Sequence, residues 1–246
     1  MDPVEETESS CSLSAKLPTP HDRTSASDES AMIPPERTIE FYFSFLSLWS
    51  YVGSLTFHDL VDRTGVRVLY KPVDLFAVFA AGGGKPVKER PLQRQAYRLV
   101  EMQRWRRIRG IPLVLHPKYY PADPSLAHRV LLAALDEGSD VAAYVHAGLK
   151  AVWADERDIS NSDTVRRLAE ESGLDGGRLL HKAEAPGLRE REASLTREAI
   201  GRQVFGAPFY FYRDEPFWGQ DRLDLLEATI RGSAAPITLP DLSAQV

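Results

Sequence analysis

The stretch FSFLSLWSY, residues 43–51, decides the fold, because it joins a segment with strand spacing to a segment with helical spacing. Just before it, Ile39 and Phe41 begin an apolar alternation of period two, which is typical of a β-strand. Two serines, Ser47 and Ser50, stand three apart at the junction, where a redox protein would carry two cysteines. The turn therefore needs a role that does not depend on its own sulfur.

The segments around this turn predict a β-α-β unit. Residues 37–45 form the first strand, and residues 47–63 form a helix that Ser47 can cap and Gly65 can end. The second strand, residues 66–73, follows directly. Because the helix carries the chain from one strand to the next, we expect the two strands to be parallel.

The remainder of the chain changes character twice. Residues 74–203 have mostly helical spacing, and residues 208–218 return to strands with a hairpin turn at Asp214-Glu215, followed by a closing helix. The predicted fold class is α/β, a thioredoxin-like domain interrupted by a large all-helical insertion. The expected organisation is a disordered tail (1–36), a first thioredoxin-like part (37–76), a helical insertion domain (77–203), a second thioredoxin-like part (204–233) and a C-terminal tail (234–246).

Composition limits the classes of binding partner and the cellular compartment that we expect. The 246-residue chain has a net charge of −5, which gives no electrostatic reason to expect nucleic acid or an anionic membrane as a partner. Cys11 is the single cysteine, so no intramolecular disulfide can form, and no apolar run approaches the ~20 residues that span a bilayer. No presequence is indicated. We expect a cytoplasmic protein without a metal site, since the six histidines lack paired ligand spacing.

One predicted helix, residues 90–110, is strongly basic. Glu89 just before it and Glu101 within it, together with the negative overall charge, favour a solvated helix over a nucleic-acid-binding face. One or two of its arginines could still meet the carboxylate of a bound small molecule. These arginines are Arg94, Arg98, Arg104, Arg106, Arg107 and Arg109.

The serine turn itself supports two interpretations. A helix N-terminus favours an anion by ~0.3–1 kcal/mol, because its first backbone N–H groups are unpaired and the helix dipole is positive there. Serine cannot exchange disulfides, but the hydroxyl of Ser47 can donate a hydrogen bond to a thiolate that another molecule brings. Alternatively, Ser47 only caps its helix, since serine is a leading N-cap residue.

Four motifs carry a resemblance to a known family. They are FYFSFLSLWSYVGS near the start, GIPLVL after QRW, AVWADERDIS, and VFGAPFYFYRDEPFWGQDRLDLLE near the end. In this order, over residues 38–231, they resemble the 2-hydroxychromene-2-carboxylate isomerase family, relatives of the kappa-class glutathione transferases in the DsbA-like thioredoxin superfamily. The resemblance implies a thioredoxin-like fold, glutathione as cofactor, a small aromatic or unsaturated substrate, and a homodimer.

The resemblance also assigns roles to single residues. Ser47 is the implied catalytic residue, whose hydroxyl would hold the glutathione sulfur as a thiolate. The backbone of Ala207 would pair with the glutathione cysteine, beside Pro208 as a cis residue. The substrate would contact either Tyr119 or Tyr120. The other implied cofactor-binding positions are Leu48, Trp49, Gly84, Gln220, Asp221 and Arg222.

The sequence departs from the family's pattern in two regions. Ser44 stands where the family usually has aspartate, and Leu48 stands where it has proline. The predicted loop at 76–85 lacks the family's lysine and has Gly84 in place of an asparagine, so it offers backbone N–H groups but no side-chain amide. These departures imply that the carboxylate of the usual aromatic substrate is held differently here or is absent.

The predicted function is a glutathione-dependent isomerase of the 2-hydroxychromene-2-carboxylate type. A thiolate held by Ser47 would add to an unsaturated substrate, the ring would open, a bond would rotate, and elimination would regenerate glutathione. Because this cycle has no net redox change, a serine suffices in the turn. Two alternatives stay open: a kappa-like glutathione transferase that keeps the thioether as product, and a non-catalytic thioredoxin-fold binding module.

Overall fold

The computed structural model describes residues 37–242, and these residues build a four-stranded sheet in the order β2-β1-β3-β4. β1 pairs in parallel with β2 and antiparallel with β3. Strands from the beginning and the end of the chain therefore meet in one sheet, which confirms the predicted α/β class. The strands are β1 (Thr38–Phe43), β2 (Arg67–Pro72), β3 (Phe209–Tyr212) and β4 (Glu215–Trp218).

Helix α1 (Leu48–Thr64) begins and ends where the sequence predicts. Ser47 caps it, because its Oγ accepts a hydrogen bond from the backbone N–H of Ser50 at 3.1 Å. Gly65 ends it in the left-handed conformation at φ 63°, which glycine adopts without a steric penalty. The parallel β1-α1-β2 unit is thereby confirmed.

Seven helices lie between β2 and β3. The predicted loop at 76–85 is wrong in part, because helix α2 occupies most of it; Asp74 caps that helix by accepting hydrogen bonds from the N–H groups of Phe76 and Ala77. The predicted domain boundaries stay predictions. The helices are α2 (Leu75–Ala81), α3 (Leu92–Arg109), α4 (Ser125–Asp136), α5 (Ala142–Trp153), α6 (Ser162–Glu171), α7 (Gly176–Lys182) and α8 (Pro186–Gly201).

The hairpin between β3 and β4 is present, but its turn lies one residue earlier than predicted. Tyr212 pairs with Glu215, which leaves Arg213 and Asp214 as the two turn residues. Both have positive φ, 54° and 64°, as a type I′ turn requires to match the twist of its strands. A short 3-10 turn (Gln220–Arg222) and helix α9 (Leu223–Arg231) follow.

The sheet is buried on both faces, which fixes the position of the serine turn. On one face Phe41 stacks on Tyr210, with ring centroids 5.0 Å apart. On the other face Tyr42 packs against Phe211. Burial of each such side chain contributes about 1.5–3 kcal/mol. β1 thus lies in the centre of the core, and the chain leaves it directly into the turn before α1.

Three expectations from the sequence concern the tail, a membrane-spanning segment and a metal site. The tail at 1–36, with Cys11, precedes the described residues. Within residues 37–242 no helix combines the length and the apolar character needed to cross a bilayer. The same residues contain no group of three His, Cys, Asp or Glu side chains arranged to hold a metal ion.

Candidate active site

Ser47 connects the turn before α1 to the segment before β3. Its Oγ donates a hydrogen bond to the carbonyl oxygen of Ala207 at 2.9 Å while it accepts the capping bond from Ser50. The residue is 3% exposed. The peptide bond between Ala207 and Pro208 is cis, as the resemblance implies. The structure therefore brings together two residues that lie 160 positions apart in the sequence.

Ser50, the second serine of the turn, has different surroundings. Its side chain is buried, and its Oγ has no hydrogen-bond partner within residues 37–242. A buried hydroxyl without a partner costs about 1–3 kcal/mol. The two serines are therefore not equivalent, and Ser47 is the one whose hydroxyl reaches a backbone group across the site.

A cavity of about 250 Å³ opens beside the contact between Ser47 and Ala207, and we call it the Trp49 cavity. Of the implied site residues, Ser47, Leu48, Pro208 and Gly84 do not line it; Ser47 touches one of its lining residues, Ala207, and the Gly84 N–H donates to the Phe79 carbonyl. The cavity brings together five of the residues that the resemblance assigns to glutathione: Trp49, Ala207, Gln220, Asp221 and Arg222.

The cavity also has a wall that the sequence did not indicate. Glu101 and Trp105, on successive turns of α3, line it together with Trp218 and Gly219. Arg109 lies over the ring of Trp105, 5.1 Å from the ring centroid. In the sequence, Glu101, Trp105 and Arg109 belong to a basic helix with the composition of a solvated surface. No sequence pattern distinguishes them from the exposed residues of that helix.

Gln220 is held firmly at the bottom of the cavity. It is 3% exposed, and Arg109 donates a hydrogen bond from Nη2 to its Oε1 at 2.9 Å. Its Cβ would be 2.6 Å from a Cβ added at Gly53 in α1. Only a glycine lets α1 approach this turn so closely, and the sequence motif SYVGS supplies it.

The cavity carries charges of both signs. Asp221 and Arg222 form an ion pair at 2.7 Å at the start of the last helix. Glu101 pairs with Arg104 at 2.6 Å, and this hydrogen bond is the main reason why the pKa of Glu101 lies below its ordinary value. Glu101 is therefore a carboxylate at neutral pH. A zwitterionic ligand would find both of its ionic partners here.

The two candidate tyrosines face different surroundings, and neither lines the Trp49 cavity. Tyr119 lies on a polar surface groove beside Glu156 and Arg157. Tyr120 packs its ring against Trp153, with centroids 4.7 Å apart, and lines a second cavity of about 250 Å³, which we call the Trp153 cavity. The structure thus separates two residues that the sequence left equivalent.

A buried polar network supports the serine turn from behind. His128, fully buried in α4, lies with Nε2 3.4 Å from both the Ser44 Oγ and the Phe45 backbone nitrogen. Its Nδ1 lies 2.9 Å from the carboxylate of Glu192 in α8. Since a backbone N–H can only donate, Nε2 accepts that bond and Nδ1 donates to Glu192. The histidine therefore links the strand end at Ser44 and Phe45 to α8.

This fold and this site define the class of the protein. Residues 38–231 match the family model described as a DSBA-like thioredoxin domain. The match runs from β1 through the helical insertion to α9. The protein is therefore a DsbA-like thioredoxin-domain protein, with Ser47 and Ser50 at the start of the helix that follows its first strand.

Comparison with individual proteins narrows the class further. The chain is 32% identical over 194 residues to the 2-hydroxychromene-2-carboxylate isomerase of Sphingobium xenophagum, which covers 78% of this chain and 97% of the relative. A solved structure of 2-hydroxychromene-2-carboxylate isomerase matches with a TM-score of 0.67 at 32% identity, covering 78% of this chain and 94% of that one. The chain belongs to the 2-hydroxychromene-2-carboxylate isomerase family of enzymes.

A more distant structure shares the fold. The cytosolic disulfide reductase DsbM from Pseudomonas aeruginosa, solved with GSH, matches with a TM-score of 0.58 at 20% identity, covering 79% of this chain and all of that one. At this identity the likeness concerns the fold and not the site.

Proposed function

We propose that the protein is a glutathione-dependent isomerase of the 2-hydroxychromene-2-carboxylate type. The observation that carries the proposal is the 2.9 Å hydrogen bond by which Ser47, at the N-terminus of α1, donates to the carbonyl of Ala207, a residue that lines the Trp49 cavity. A serine in this place can hold a thiolate and cannot exchange disulfides. Membership of an isomerase family supports the reaction type.

The residues of the Trp49 cavity fit glutathione by their chemistry. The carboxylates of Glu101 and Asp221 suit an ammonium group, and Arg222 suits a carboxylate. Trp49 and Trp105 offer apolar walls for the peptide part of the ligand. When bound, glutathione supplies a thiolate that adds reversibly to an unsaturated substrate.

Ser47 can reach such a thiolate by exchanging one hydrogen bond. Its hydroxyl has a single hydrogen, which in this structure points to the carbonyl of Ala207. A ligand amide N–H that donates to this carbonyl keeps it hydrogen-bonded, so the hydroxyl can turn to another acceptor without leaving the carbonyl unpaired. Ser47 then donates to the sulfur while it still accepts from Ser50, so the cap of α1 is preserved.

The energy required for thiolate binding is within reach of these groups. A thiol has a pKa of ~8.5, and lowering it by about two units corresponds to roughly 2.7 kcal/mol. A hydrogen bond to a charged group contributes about 1.5–3 kcal/mol. The N-terminus of α1 adds about 0.3–1 kcal/mol. Ser47 and its helix can together account for the shift.

The test is a pH titration of bound glutathione, with the thiolate followed by its ultraviolet absorbance. We expect the native protein to lower the thiol pKa by one to two units, and we expect Ser47→Ala to lose most of this shift because the charge-assisted hydrogen bond is gone. Ser50→Ala is the matched control, since it removes a buried hydroxyl of the same turn that has no partner within the described chain.

The same titration can refute the proposal. If the native protein does not bind glutathione, or if Ser47→Ala and Ser50→Ala give the native thiol pKa alike, the proposal is wrong. If glutathione binds as a thiolate, activity on hydroxychromene carboxylates separates an isomerase from a transferase that keeps the thioether.

A further inference from the structure

Arg109, the last residue of α3, contacts Gln220 but does not itself line the Trp49 cavity. Its Nη2 donates to the Gln220 side-chain oxygen at 2.9 Å and lies 3.4 Å from the backbone carbonyl oxygen of the same residue. Glu101, Trp105 and Arg109 are spaced i, i+4, i+8, so they share one face of α3. Arg109 can therefore act on a ligand in the cavity through Gln220.

The positive charge of Arg109 has no acidic partner. Both carboxylates that line the cavity pair with other arginines. Within residues 37–242 no carboxylate forms an ion pair with Arg109, and its buried Nε has no hydrogen-bond partner. The guanidinium lies over the ring of Trp105. Since arginine stays charged at neutral pH, its hydrogen bond to the amide of Gln220 is charge-assisted.

This contact fixes the orientation of the Gln220 amide. A guanidinium group can only donate, so the amide atom that meets Arg109 is the oxygen, and the NH2 group lies at the other corner of the amide. The NH2 group has no hydrogen-bond partner within residues 37–242, and unlike the Arg109 Nε it is not enclosed by protein atoms. Because Gln220 is otherwise buried and lines the cavity, its NH2 group is the part that a ligand can reach.

An amide held in this way suits a carboxylate. Arg109 occupies the acceptor of Gln220 and polarises the donor, as successive hydrogen bonds do. The next residue, Asp221, lines the same cavity and suits an ammonium group. A γ-glutamyl group carries its ammonium and its carboxylate on one carbon atom. An ammonium beside Asp221 therefore brings the carboxylate next to Gln220.

We propose that Arg109 is a positioning residue of the glutathione site. By holding the oxygen of Gln220, it directs the NH2 group toward the carboxylate of the γ-glutamyl group and makes this end of the site selective for a carboxylate. The inference rests on the proposed function, since it specifies how that enzyme recognises its cofactor.

The test compares three ligands by isothermal titration calorimetry on the full chain. They are glutathione, glutaryl-cysteinylglycine, which lacks the ammonium group, and γ-aminobutyryl-cysteinylglycine, which lacks the γ-glutamyl carboxylate. We expect Arg109→Met to weaken binding of the first two about tenfold and of the third less than about twofold, because only the first two offer a carboxylate to Gln220. Arg109→Lys should keep part of the preference. Arg107→Met, the same change at an exposed site of α3, should bind all three as the native protein does.

Variants of Gln220 test whether Arg109 acts through this residue. Gln220→Leu should show the same pattern of losses, and adding Arg109→Met to it should weaken binding no further, since the two changes remove one interaction. Gln220→Glu keeps an oxygen for Arg109 but replaces the NH2 group by a second oxygen. It should bind glutathione more weakly than Gln220→Leu does, because two carboxylates would face each other, and it should still bind γ-aminobutyryl-cysteinylglycine.

The outcomes separate this inference from the proposed function. If Arg109→Met weakens all three ligands equally, weakens none of them, or weakens glutathione further in the Gln220→Leu background, the inference is wrong. The thiol pKa of glutathione bound to Arg109→Met should equal that in the native protein, because the partners of Ser47 are Ala207 and Ser50. A native protein that does not bind glutathione would refute the proposed function and the inference together.

Discussion

Gly53 is the residue at which α1 approaches the Gln220 turn. A Cβ at this position would lie 2.6 Å from the Gln220 Cβ and 3.4 Å from its Cα, so backbone would have to move. We expect Gly53→Ala to lower the free energy of unfolding by about 1–3 kcal/mol, as overpacking does. Because Gln220 lines the Trp49 cavity, glutathione binding should weaken as well. Urea unfolding and glutathione titration measure the two effects.

The control for this substitution lies in α8. A Cβ at Gly187 would meet no atom within 4 Å, and the residue is helical. Gly187→Ala should therefore leave stability unchanged or raise it by up to about 1 kcal/mol, through helix propensity alone. Equal stability of the two variants would show that α1 and the Gln220 turn are not in tight contact.

Single residues also mark how far the sequence could predict the site. Ser47 and Gly65 are set by local rules for helix ends, so their places follow from the sequence. The contact of Ser47 with Ala207 spans 160 positions, and only the family resemblance pointed to it. Glu101 and Trp105 depend on which face α3 turns toward the sheet, and tertiary packing decides that face.

Helix α8 stabilises the serine turn through a side chain. Glu192 accepts a hydrogen bond from His128, which in turn accepts one from the Phe45 backbone. We expect Glu192→Ala to lower the free energy of unfolding by about 1–3 kcal/mol, because it leaves a buried imidazole N–H without a partner. Thermal or urea unfolding measures the effect.

The matched variant for that prediction is Glu190→Ala, also in α8. Glu190 pairs with Arg197 on the surface, where both side chains are more than 60% exposed. An exposed pair of this kind contributes little, so the substitution should be close to neutral. If both variants unfold alike, the network behind the serine turn does not contribute to stability.

Elements with few apolar residues were the hardest to predict. Helix α8 buries only Leu188, Thr196 and Ala199 from its 16 residues, so it shows little amphipathic spacing. Helix α2 was hard to predict for the opposite reason. Its short run of residues is entirely apolar, so no alternation of polar and apolar residues indicates helical periodicity. The hairpin was predicted, but its turn was placed one residue late, because the left-handed residues are Arg213 and Asp214 and no glycine marks them.

At the scale of the whole molecule, a charge cluster joins the sheet to the insertion. Glu40 of β1 pairs with Lys71 of β2 and with Arg202 at the end of α8, and Lys71 also pairs with Glu198. Tyr42 donates to Glu198 at 2.6 Å, and burial is the main cause that raises the pKa of this phenol to about 12. Strands β1 and β2 and the end of the helical insertion therefore meet at one polar contact.

This cluster predicts a pH dependence of stability. Burial alone would raise the pKa of Glu40, but hydrogen bonds from Lys71 and Arg202 hold it below its ordinary value. Because the folded-state pKa is the lower one, the stabilisation is present above the unfolded-state value of ~4.3 and is lost as the pH falls through the folded-state value. We expect Glu40→Gln to lower the free energy of unfolding by about 1–2 kcal/mol at pH 7.

The difference between Glu40→Gln and the native protein should shrink as the pH falls below about 4, because the carboxylate then takes up a proton in the unfolded state while it is still ionised in the folded state. Urea unfolding over a range of pH measures this. Glu170→Gln, which removes one partner of an exposed i, i+4 pair with Arg166, serves as the control and should be nearly neutral at every pH. A constant difference down to pH 3 for Glu40→Gln would contradict the assignment.

The placement of the tryptophans gives the protein its own optical reporter. The chain has four, and each lines one of the two cavities: Trp49, Trp105 and Trp218 the first, Trp153 the second. Intrinsic tryptophan fluorescence should therefore report ligand binding in either cavity without any label. In Trp153→Phe the emission should follow occupancy of the Trp49 cavity alone. Binding in the two cavities could then be measured separately and in real time.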